Sequence, residues 1–185
     1  MTDIRKLSYD EIFRQRPTLS GLKQLDRLPI YALIENIRSM HNVGSIFRTS
    51  DGVRLQELFL TGYTAKPPRK EIDKTALGAT DSVPWRFDRE PLPFIENLKE
   101  NKVQIVAVEH TDSSVLYTEA DYSFPLCIVM GNEVDGVSQQ CVNQADIAVE
   151  IPMMGIKQSL NVSVAFGIVL YHIFDKYQQI NKVNT

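Results

Sequence analysis

The segment from Ile151 to Tyr171 combines a polar loop with an almost unbroken apolar helix. A helix start needs one capping side chain, and Ser159 is suited to supply it. The loop holds more than a cap requires, because Gly155 permits unusual backbone angles and a Ser and an Asn frame one Leu. Such a loop can present backbone N–H and C=O groups to a ligand. The alternative is a capped core helix with Met153 and Met154 as core filler.

Two further segments carry polar residues where predicted strands end. Gly131 and Gly136 bracket an Asn-Glu pair after an apolar strand, and Gly131 permits a close backbone approach to a ligand. Asn42 lies near the start of a predicted helix with Arg48 almost two turns on, so helical spacing alone does not make them neighbours. Ligands bind at the carboxyl ends of strands in open α/β sheets, so we expect all three segments at one edge. For the segment with Gly131 the alternative is a plain turn. For the segment with Asn42 and Arg48 it is an Asn helix cap and a surface Arg.

Other chemistries find little support in the residues. The three histidines, His41, His110 and His172, have no metal-ligand spacing, so no metal is predicted. The segment after residue 130 lacks the oxygen spacing of an EF-hand and the Gly-Lys-Ser/Thr ending of a phosphate loop. Neither a nucleophile elbow nor the G-x-G-x-x-G fingerprint occurs, so a conventional dinucleotide site is not supported.

Predicted strands alternate with predicted helices along the chain. The strands are Leu28–Ile37, Leu58–Leu60, Val83–Phe87, Val103–Val108, Pro125–Met130 and Ile147–Ile151. The helices are Tyr9–Arg16, Asn42–Gly52, Thr75–Ala79, Pro91–Asn101, Ser138–Asn143 and Leu160–Phe174. Several strands are apolar on both faces, which predicts an α/β fold with a mostly parallel sheet flanked by helices.

The last helix is apolar nearly all round. One stripe consists of Leu160, Val164, Ile168 and Tyr171, and a second of Val162, Phe166, Val169 and Ile173. Such a helix must be buried on more than one side. A core combined with a dimer interface would achieve this, and a deep monomer core is the alternative.

Charge is unevenly distributed along the chain. The net charge is −3, yet residues 1–75 hold 13 Lys/Arg against 9 Asp/Glu, and residues 76–185 hold 7 against 14. A basic first part could meet phosphate with one face, although chance asymmetry on a solvated surface explains it equally well. The best internal candidates for phosphate contact lie in a predicted loop from Thr61 to Lys74 that is rich in Pro and basic residues, and they are Lys66, Arg69, Lys70 and Lys74.

The sequence also predicts a compartment. Cys127 and Cys141 have no metal-like spacing and are interpreted as reduced thiols. The first 16 residues contain no apolar core of signal-peptide length. The longest apolar run, near Val162–Tyr171, is too short and too interrupted to span a bilayer. We therefore expect a cytoplasmic protein with no membrane partner.

Together, the three polar segments resemble the motifs of the SpoU/TrmH family, within the knotted class of RNA methyltransferases. The motifs correspond to Asn42–Thr49, Met130–Ser138 and Ile151–Ala165, and they occur in the family's order. The resemblance covers residues 28–177, the predicted SpoU-type methyltransferase domain. Residues 1–27 are predicted as an N-terminal helical extension and residues 178–185 as a C-terminal tail. Asp135 and Gln158 depart from the family's commonest pattern, in which Arg and Glu are frequent.

The resemblance implies methyl transfer from S-adenosylmethionine to a ribose 2′-hydroxyl of RNA, a deep C-terminal trefoil knot and a homodimer. The implied catalytic residues are Arg48, Asn42, Glu133 and Asn161. The implied cofactor-binding residues are Met130, Gly131, Asn132, Ile151, Met153, Ser159 and Leu160. A guanidinium stays protonated in proteins, so we expect Arg48 to orient the hydroxyl and stabilise developing negative charge.

For the substrate, the resemblance favours tRNA over rRNA, because short members of the family often act on tRNA. Many members that act on rRNA carry a separate N-terminal RNA-binding domain. The predicted RNA contacts are Lys66, Arg69, Lys70 and Lys74. An rRNA methyltransferase and a non-catalytic RNA-binding protein of the same fold are the alternatives. The acidic pI of about 5.6 slightly favours a third, a methyltransferase for a small molecule or a protein.

Overall fold

The structure is a computed structural model that describes residues 4–183. Its strands are β1 (Leu28–Glu35), β2 (Leu55–Thr61), β3 (Trp85–Asp88), β4 (Gln104–Val108), β5 (Val115–Leu116), β6 (Leu126–Met130) and β7 (Ile147–Glu150). Its helices are α1 (Tyr9–Phe13), α2 (Leu19–Leu22), α3 (Met40–Gly52), α4 (Lys70–Ala76), α5 (Ala79–Ser82), α6 (Leu92–Glu100), α7 (Gln139–Val142) and α8 (Val162–Val183).

All seven strands form one parallel sheet in the order β3-β2-β1-β6-β4-β7-β5. The central pair is β1 and β6, in register from Ile30 opposite Leu126 to Ile34 opposite Met130. Both strands read as apolar runs because both of their faces are covered. The predicted α/β fold with a mostly parallel sheet is thus confirmed. The carboxyl ends of all strands meet at one edge.

Two apolar cores lie on opposite faces of the sheet. On one face, Phe47 of α3 and Phe166 of α8 pack in the same cluster as Ile34. On the other face, Ile95 of α6 and Cys141 of α7 pack in a cluster that includes Leu33 of β1. The side chains of adjacent residues in one strand therefore pack in different cores, because successive side chains of a strand point to opposite faces. Cys127 and Cys141 are both buried free thiols.

The two stripes of α8 have different surroundings. Val162, Phe166, Val169 and Ile173 are buried against the sheet. Val164 and Tyr171 keep 51% and 47% of their surface exposed. A deep monomer core therefore does not account for the whole helix, because one apolar stripe remains at the surface. The helix also begins at Val162, so Leu160 precedes it, and it continues through the predicted tail to Val183.

Several predicted boundaries need correction. The predicted loop from Thr61 to Lys74 ends in α4, so Lys70 and Lys74 are helical. The small helix and its stop predicted over Thr75–Ala79 correspond to the end of α4 at Ala76 and the break before α5, where Leu77 (φ 49°) and Gly78 (φ 88°) adopt left-handed conformations. Strand β5 was not predicted, since two residues carry no readable pattern. None of the helices within residues 4–183 is long and apolar enough to cross a lipid bilayer.

Candidate active site

One hydrogen-bond chain links the three polar segments at the carboxyl edge of the sheet. The Asn42 Nδ2 atom donates to Glu133 Oε1 over 2.9 Å. The Asn161 Nδ2 atom donates to Asn42 Oδ1 over 3.0 Å. The segments after β1, β6 and β7 therefore meet through three of the four predicted catalytic residues.

Glu133 is held in its charged form. Burial by itself raises the pKa of this carboxyl, but hydrogen bonds from the Asn42 side chain and from backbone N–H groups outweigh it and leave the pKa below its ordinary value. One of these donors is the Arg38 N–H, 3.3 Å from Glu133 Oε2. Glu133 thus fixes the turn that enters α3 as well as the Asn42 side chain.

Asn161, rather than Ser159, caps α8. Its Oδ1 atom accepts from the backbone N–H groups of Ser163 (3.0 Å) and Val164 (3.4 Å), and from the Ser163 hydroxyl (2.7 Å). Ser159 lies exposed in the loop before it. One amide side chain therefore both starts the helix and orients Asn42.

The loop after β6, the glycine loop of residues 131–137, is closed by a tight backbone contact. Asn132 and Gly136 exchange two backbone hydrogen bonds of 2.9 and 3.0 Å. A Cβ at Gly131 would collide with the carbonyl group of Gly136, so only glycine fits there. Gly155, which permits unusual backbone angles, does not adopt a positive φ, and a Cβ there would meet nothing within 4 Å. The positions of the site that require glycine are thus Gly131 and Gly136, since Gly136 has a φ of 70° and a Cβ there would collide with the Glu109 carboxylate.

A cleft of about 270 Å³ lies beside this loop. All seven residues predicted to bind a cofactor line it: Met130, Gly131, Asn132, Ile151, Met153, Ser159 and Leu160. Sequence reasoning missed Glu109 and His110, which follow β4 and also line the cleft. Glu109 Oε2 accepts from the Val137 N–H over 2.7 Å and so supports the glycine loop. Their position at the end of a strand beside β6 was the signal that could have identified them.

The cleft is acidic and partly apolar. Four carboxylates line it, those of Glu109, Glu133, Asp135 and Glu150, together with His110. Among the described residues, neither Lys nor Arg lines it. The cleft therefore favours a ligand that combines apolar surface with positive charge.

A second cavity, of about 560 Å³, adjoins the cleft. Its lining consists of Arg38, Ser39, Asn42, Tyr63, Asn132, Glu133, Val134, Asp135 and Asn161. Residues 132–135 line both spaces, so the glycine loop separates them. The hydrogen-bond chain from Asn161 through Asn42 to Glu133 thus faces the second cavity at its boundary with the cleft.

Arg48, the remaining predicted catalytic residue, lies apart from this chain. It is exposed on α3 and lines neither space. Within residues 4–183, no hydrogen bond or ion pair restrains its guanidinium, and Glu133 accepts from Asn42 and the Arg38 N–H instead. The next residue, Thr49, lies beside Gly167 of α8, with its Cγ2 atom 3.8 Å from the place of a Cβ on that glycine. A Cβ on Gly52, one helical turn after Arg48, would lie 2.6 Å from the Tyr171 hydroxyl, so Arg48 lies one turn of α3 from the exposed stripe of α8.

The predicted RNA contacts, Lys66, Arg69, Lys70 and Lys74, are all exposed. Lys66 is partly engaged, because its Nζ atom lies 4.1 Å above the Phe87 ring. Helix α4 is tied to the start of α3 by a 3.0 Å hydrogen bond from Thr75 Oγ1 to the His41 carbonyl. The two lysines of α4, Lys70 and Lys74, therefore lie on a helix that packs on the start of α3, where Asn42 lines the second cavity. Within residues 4–183, no group of three His, Cys, Asp or Glu side chains could hold a metal ion.

Known proteins resemble this chain along most of its length. The SpoU rRNA Methylase family matches residues 29–171. A tRNA (guanosine(18)-2′-O)-methyltransferase of Aquifex aeolicus is 40% identical over 141 residues, which are 74% of this chain and 64% of the relative. The chain thus spans slightly less than two thirds of the length of that relative.

Solved structures show the same architecture. The crystal structure of the A. aeolicus TrmH/SpoU tRNA modifying enzyme superposes with a TM-score of 0.79 at 32% identity, covering 88% of this chain and 84% of that one. An AdoMet-bound rRNA methyltransferase from Sinorhizobium meliloti gives a TM-score of 0.74 at 30% identity, covering 85% and 60%. With its three motifs joined at one edge of such a sheet, this chain belongs to the SpoU rRNA Methylase family.

Proposed function

We propose that this protein transfers a methyl group from S-adenosylmethionine to the 2′-hydroxyl of a ribose in tRNA. One observation carries the proposal. A glycine loop separates a cleft lined by all seven predicted cofactor residues from a cavity lined by Asn42, Glu133 and Asn161. A methyl donor and a methyl acceptor need such adjoining spaces, because transfer requires both reactants to be held in line.

The residues of the cleft fit this cofactor. Met130, Ile151, Met153 and Leu160 offer apolar surface to an adenine ring. The four carboxylates suit the positive charge of the sulfonium and amino groups. When bound, the cofactor supplies an electrophilic methyl group, and the protein supplies position and charge. The AdoMet-bound S. meliloti relative supports the same assignment.

The second cavity would receive the ribose and is therefore the acceptor cavity. Its polar groups are preorganised. Glu133 fixes Asn42, and Asn161 orients the Asn42 amide oxygen, so these groups need little rearrangement when a ribose enters. We assign to Arg48 the orientation of the hydroxyl and the stabilisation of its developing negative charge. Because Arg48 lines neither space of its own chain, we propose that it performs this role on the ribose bound to a second copy of this chain. A guanidinium cannot accept the proton, which therefore leaves to phosphate or water. Good positioning alone contributes roughly 7–11 kcal/mol in favourable systems.

Support for tRNA comes from the relatives and from the surface. The A. aeolicus relative is named a tRNA (guanosine(18)-2′-O)-methyltransferase, so the corresponding guanosine is the first nucleotide to examine. Lys66, Arg69, Lys70 and Lys74 provide cationic contacts for phosphate beside the acceptor cavity. An rRNA substrate is the second candidate, favoured by the name of the S. meliloti relative.

We further propose a C-terminal trefoil knot and a homodimer. The knot is supported by the path of the chain after β7. In the sheet, β4 lies between β6 and β7, and after β7 the chain returns across the sheet so that α8 packs on α3. The homodimer is supported by the exposed apolar stripe of α8. A second copy on this stripe would also adjoin Arg48. The buried free thiols of Cys127 and Cys141 support the reducing, cytoplasmic compartment that the sequence predicts.

The test is to incubate the protein with S-adenosylmethionine labelled in its methyl group and with total RNA, then to locate the label. Label in 2′-O-methylated nucleosides of the tRNA fraction is the expected result. Label in rRNA supports the second candidate. Transfer to protein or to small molecules contradicts RNA methylation, and cofactor binding without any transfer indicates a non-catalytic protein of this fold.

A further inference from the structure

Tyr63 presents an exposed aromatic ring at the acceptor cavity. It lies two residues beyond the end of β2, and 60% of its surface is exposed. The hydroxyl is nevertheless anchored, because Asn132 Nδ2 donates to it over 2.5 Å. The ring is therefore held at its polar end while its faces remain open.

The backbone beneath this ring is also fixed. The Tyr63 N–H donates to Asn36 Oδ1 over 3.2 Å. Gly62 adopts a positive φ of 67°, and a Cβ there would collide with the Asn36 side chain. The Asn36 carbonyl in turn accepts from Asn132 Nδ2 over 2.9 Å. The ring thus belongs to a rigid frame rather than to a free loop tip.

A second apolar surface lies on the same frame. Val134 lines the same cavity, and 84% of its surface is exposed. Its N–H donates to Asn132 Oδ1 over 2.7 Å. Asn132 therefore holds the Tyr63 ring through its amide nitrogen and the Val134 backbone through its amide oxygen. An aromatic ring and an aliphatic side chain border a cavity whose other lining residues are polar.

Arg38 adds a free cation to this cavity. Its backbone N–H is bound by Glu133, but within residues 4–183 no side-chain hydrogen bond or ion pair restrains its guanidinium. An exposed ring, an apolar neighbour and an unpaired guanidinium are the groups that proteins use for an unstacked nucleotide: the ring for the base, the cation for the phosphate.

We propose that Tyr63 stacks on the base of the nucleotide to be methylated, with Val134 beside that base and Arg38 on an adjacent phosphate. This inference rests on the proposed function and names the recognition element of its acceptor site. Stacking tolerates every base, so Tyr63 contributes affinity for an unpaired nucleotide rather than base identity. The glycine loop then links recognition to chemistry, because Asn132 contacts Tyr63 and also lines the cofactor cleft.

The test compares Tyr63→Ala with Tyr63→Phe on unmodified tRNA. Both variants lose the hydroxyl and its bond to Asn132, whereas only the alanine variant loses the ring. We expect Tyr63→Ala to raise the KM for tRNA about tenfold or more relative to Tyr63→Phe, since stacking on one base is worth about that factor in affinity. The Kd for S-adenosylmethionine should agree between the two variants within about twofold. Tyr9→Ala, which removes an exposed tyrosine that lines neither space, serves as control.

A second measurement removes the base instead of the ring. A tRNA with an abasic ribose at the methylated position should bind wild type about tenfold less tightly and Tyr63→Ala no less tightly than intact tRNA does. An equal rise in the KM for tRNA in the alanine and phenylalanine variants would assign the role to the hydroxyl and overturn stacking. Near-normal tRNA affinity in both variants would also overturn stacking. Filter binding compares the tRNA affinities of Tyr63→Ala and Tyr63→Phe without requiring turnover. Failure of wild type to methylate RNA would instead refute the proposed function.

Discussion

The side-chain amide of Asn42 donates to the carboxylate of Glu133 across 2.9 Å, joining the start of α3 to the loop after β6. The two residues are 91 positions apart in the chain. Both residues line the acceptor cavity, and Glu133 also lines the cleft. Any change to either partner should therefore affect both the local stability and the chemistry assigned to the site.

Replacing Glu133 with Gln should reduce stability in a pH-dependent way. The pKa of Glu133 in the folded protein lies below its ordinary value of 4.5, because its hydrogen bonds outweigh burial. A lowered folded pKa gives stability that is complete above the ordinary value and is lost as the pH falls through the folded pKa. The difference in unfolding free energy between wild type and Glu133→Gln should thus be larger at pH 7 than at pH 3.

Denaturant titrations at several pH values measure this difference. Glu96→Gln, at an exposed carboxylate on α6, is the control and should change the unfolding free energy less at pH 7. An equal effect of Glu133→Gln at pH 7 and pH 3 would refute the stabilising role of the charged carboxylate.

Gly131→Ala should impair cofactor binding. The added methyl group would collide with the Gly136 carbonyl, so the loop that lines the cleft must move. We expect the Kd for S-adenosylmethionine to rise by about tenfold or more, a cost of about 1.4 kcal/mol, in calorimetric titrations. Gly155→Ala is the matched control, because a Cβ there meets nothing within 4 Å. The idea fails if both alanine variants bind the cofactor equally well.

Val164→Glu should dissociate the proposed homodimer. Val164 belongs to the stripe of α8 that is exposed in the single chain. In the proposed dimer a carboxylate at this position would be buried, which is costly. Sedimentation velocity should show a dimer for wild type and a monomer for this variant. Val115→Glu, at a 44% exposed position on β5, should remain dimeric. A monomeric wild type across the concentration range would contradict the homodimer.

Neutralising the basic side chains of α4 should weaken tRNA binding and its dependence on salt. Each phosphate contact contributes about one unit to the slope of log affinity against log salt. Lys70→Gln and Lys74→Gln should each lower that slope by about one. Lys102→Gln, located before β4 at the opposite edge of the sheet, is the control. Unchanged slopes in the α4 variants would exclude these residues as phosphate contacts.

Much of the fold could be predicted from local patterns. Strands β1 and β6 could be predicted because their apolar runs are buried on both faces, whereas the two-residue β5 could not. The meeting of the three segments followed from parallel strands ending at one edge. The seven cleft residues were identified through the family resemblance, and all of them lie together.

The remaining features depend on contacts that local sequence does not encode. Asn161 rather than Ser159 caps α8, because the chain enters the helix two residues later than its composition indicates. The bond between Asn161 and Asn42 spans 119 positions and has no local signature. The family resemblance groups Arg48 with Asn42 as a catalytic residue, whereas the structure places Arg48 on a part of α3 that lines neither space.

The central claim is methyl transfer to a ribose hydroxyl of tRNA, and one assay tests it most directly. Unmodified tRNA is incubated with S-adenosylmethionine labelled in its methyl group and with wild type or Arg48→Ala, and the digested nucleosides are separated. Wild type should yield a labelled 2′-O-methylnucleoside. Arg48→Ala should bind the cofactor normally and transfer at least about a hundredfold less, the scale of losing one charge-stabilising group. Label on a base, no label with wild type, or near-normal turnover by Arg48→Ala would contradict this account.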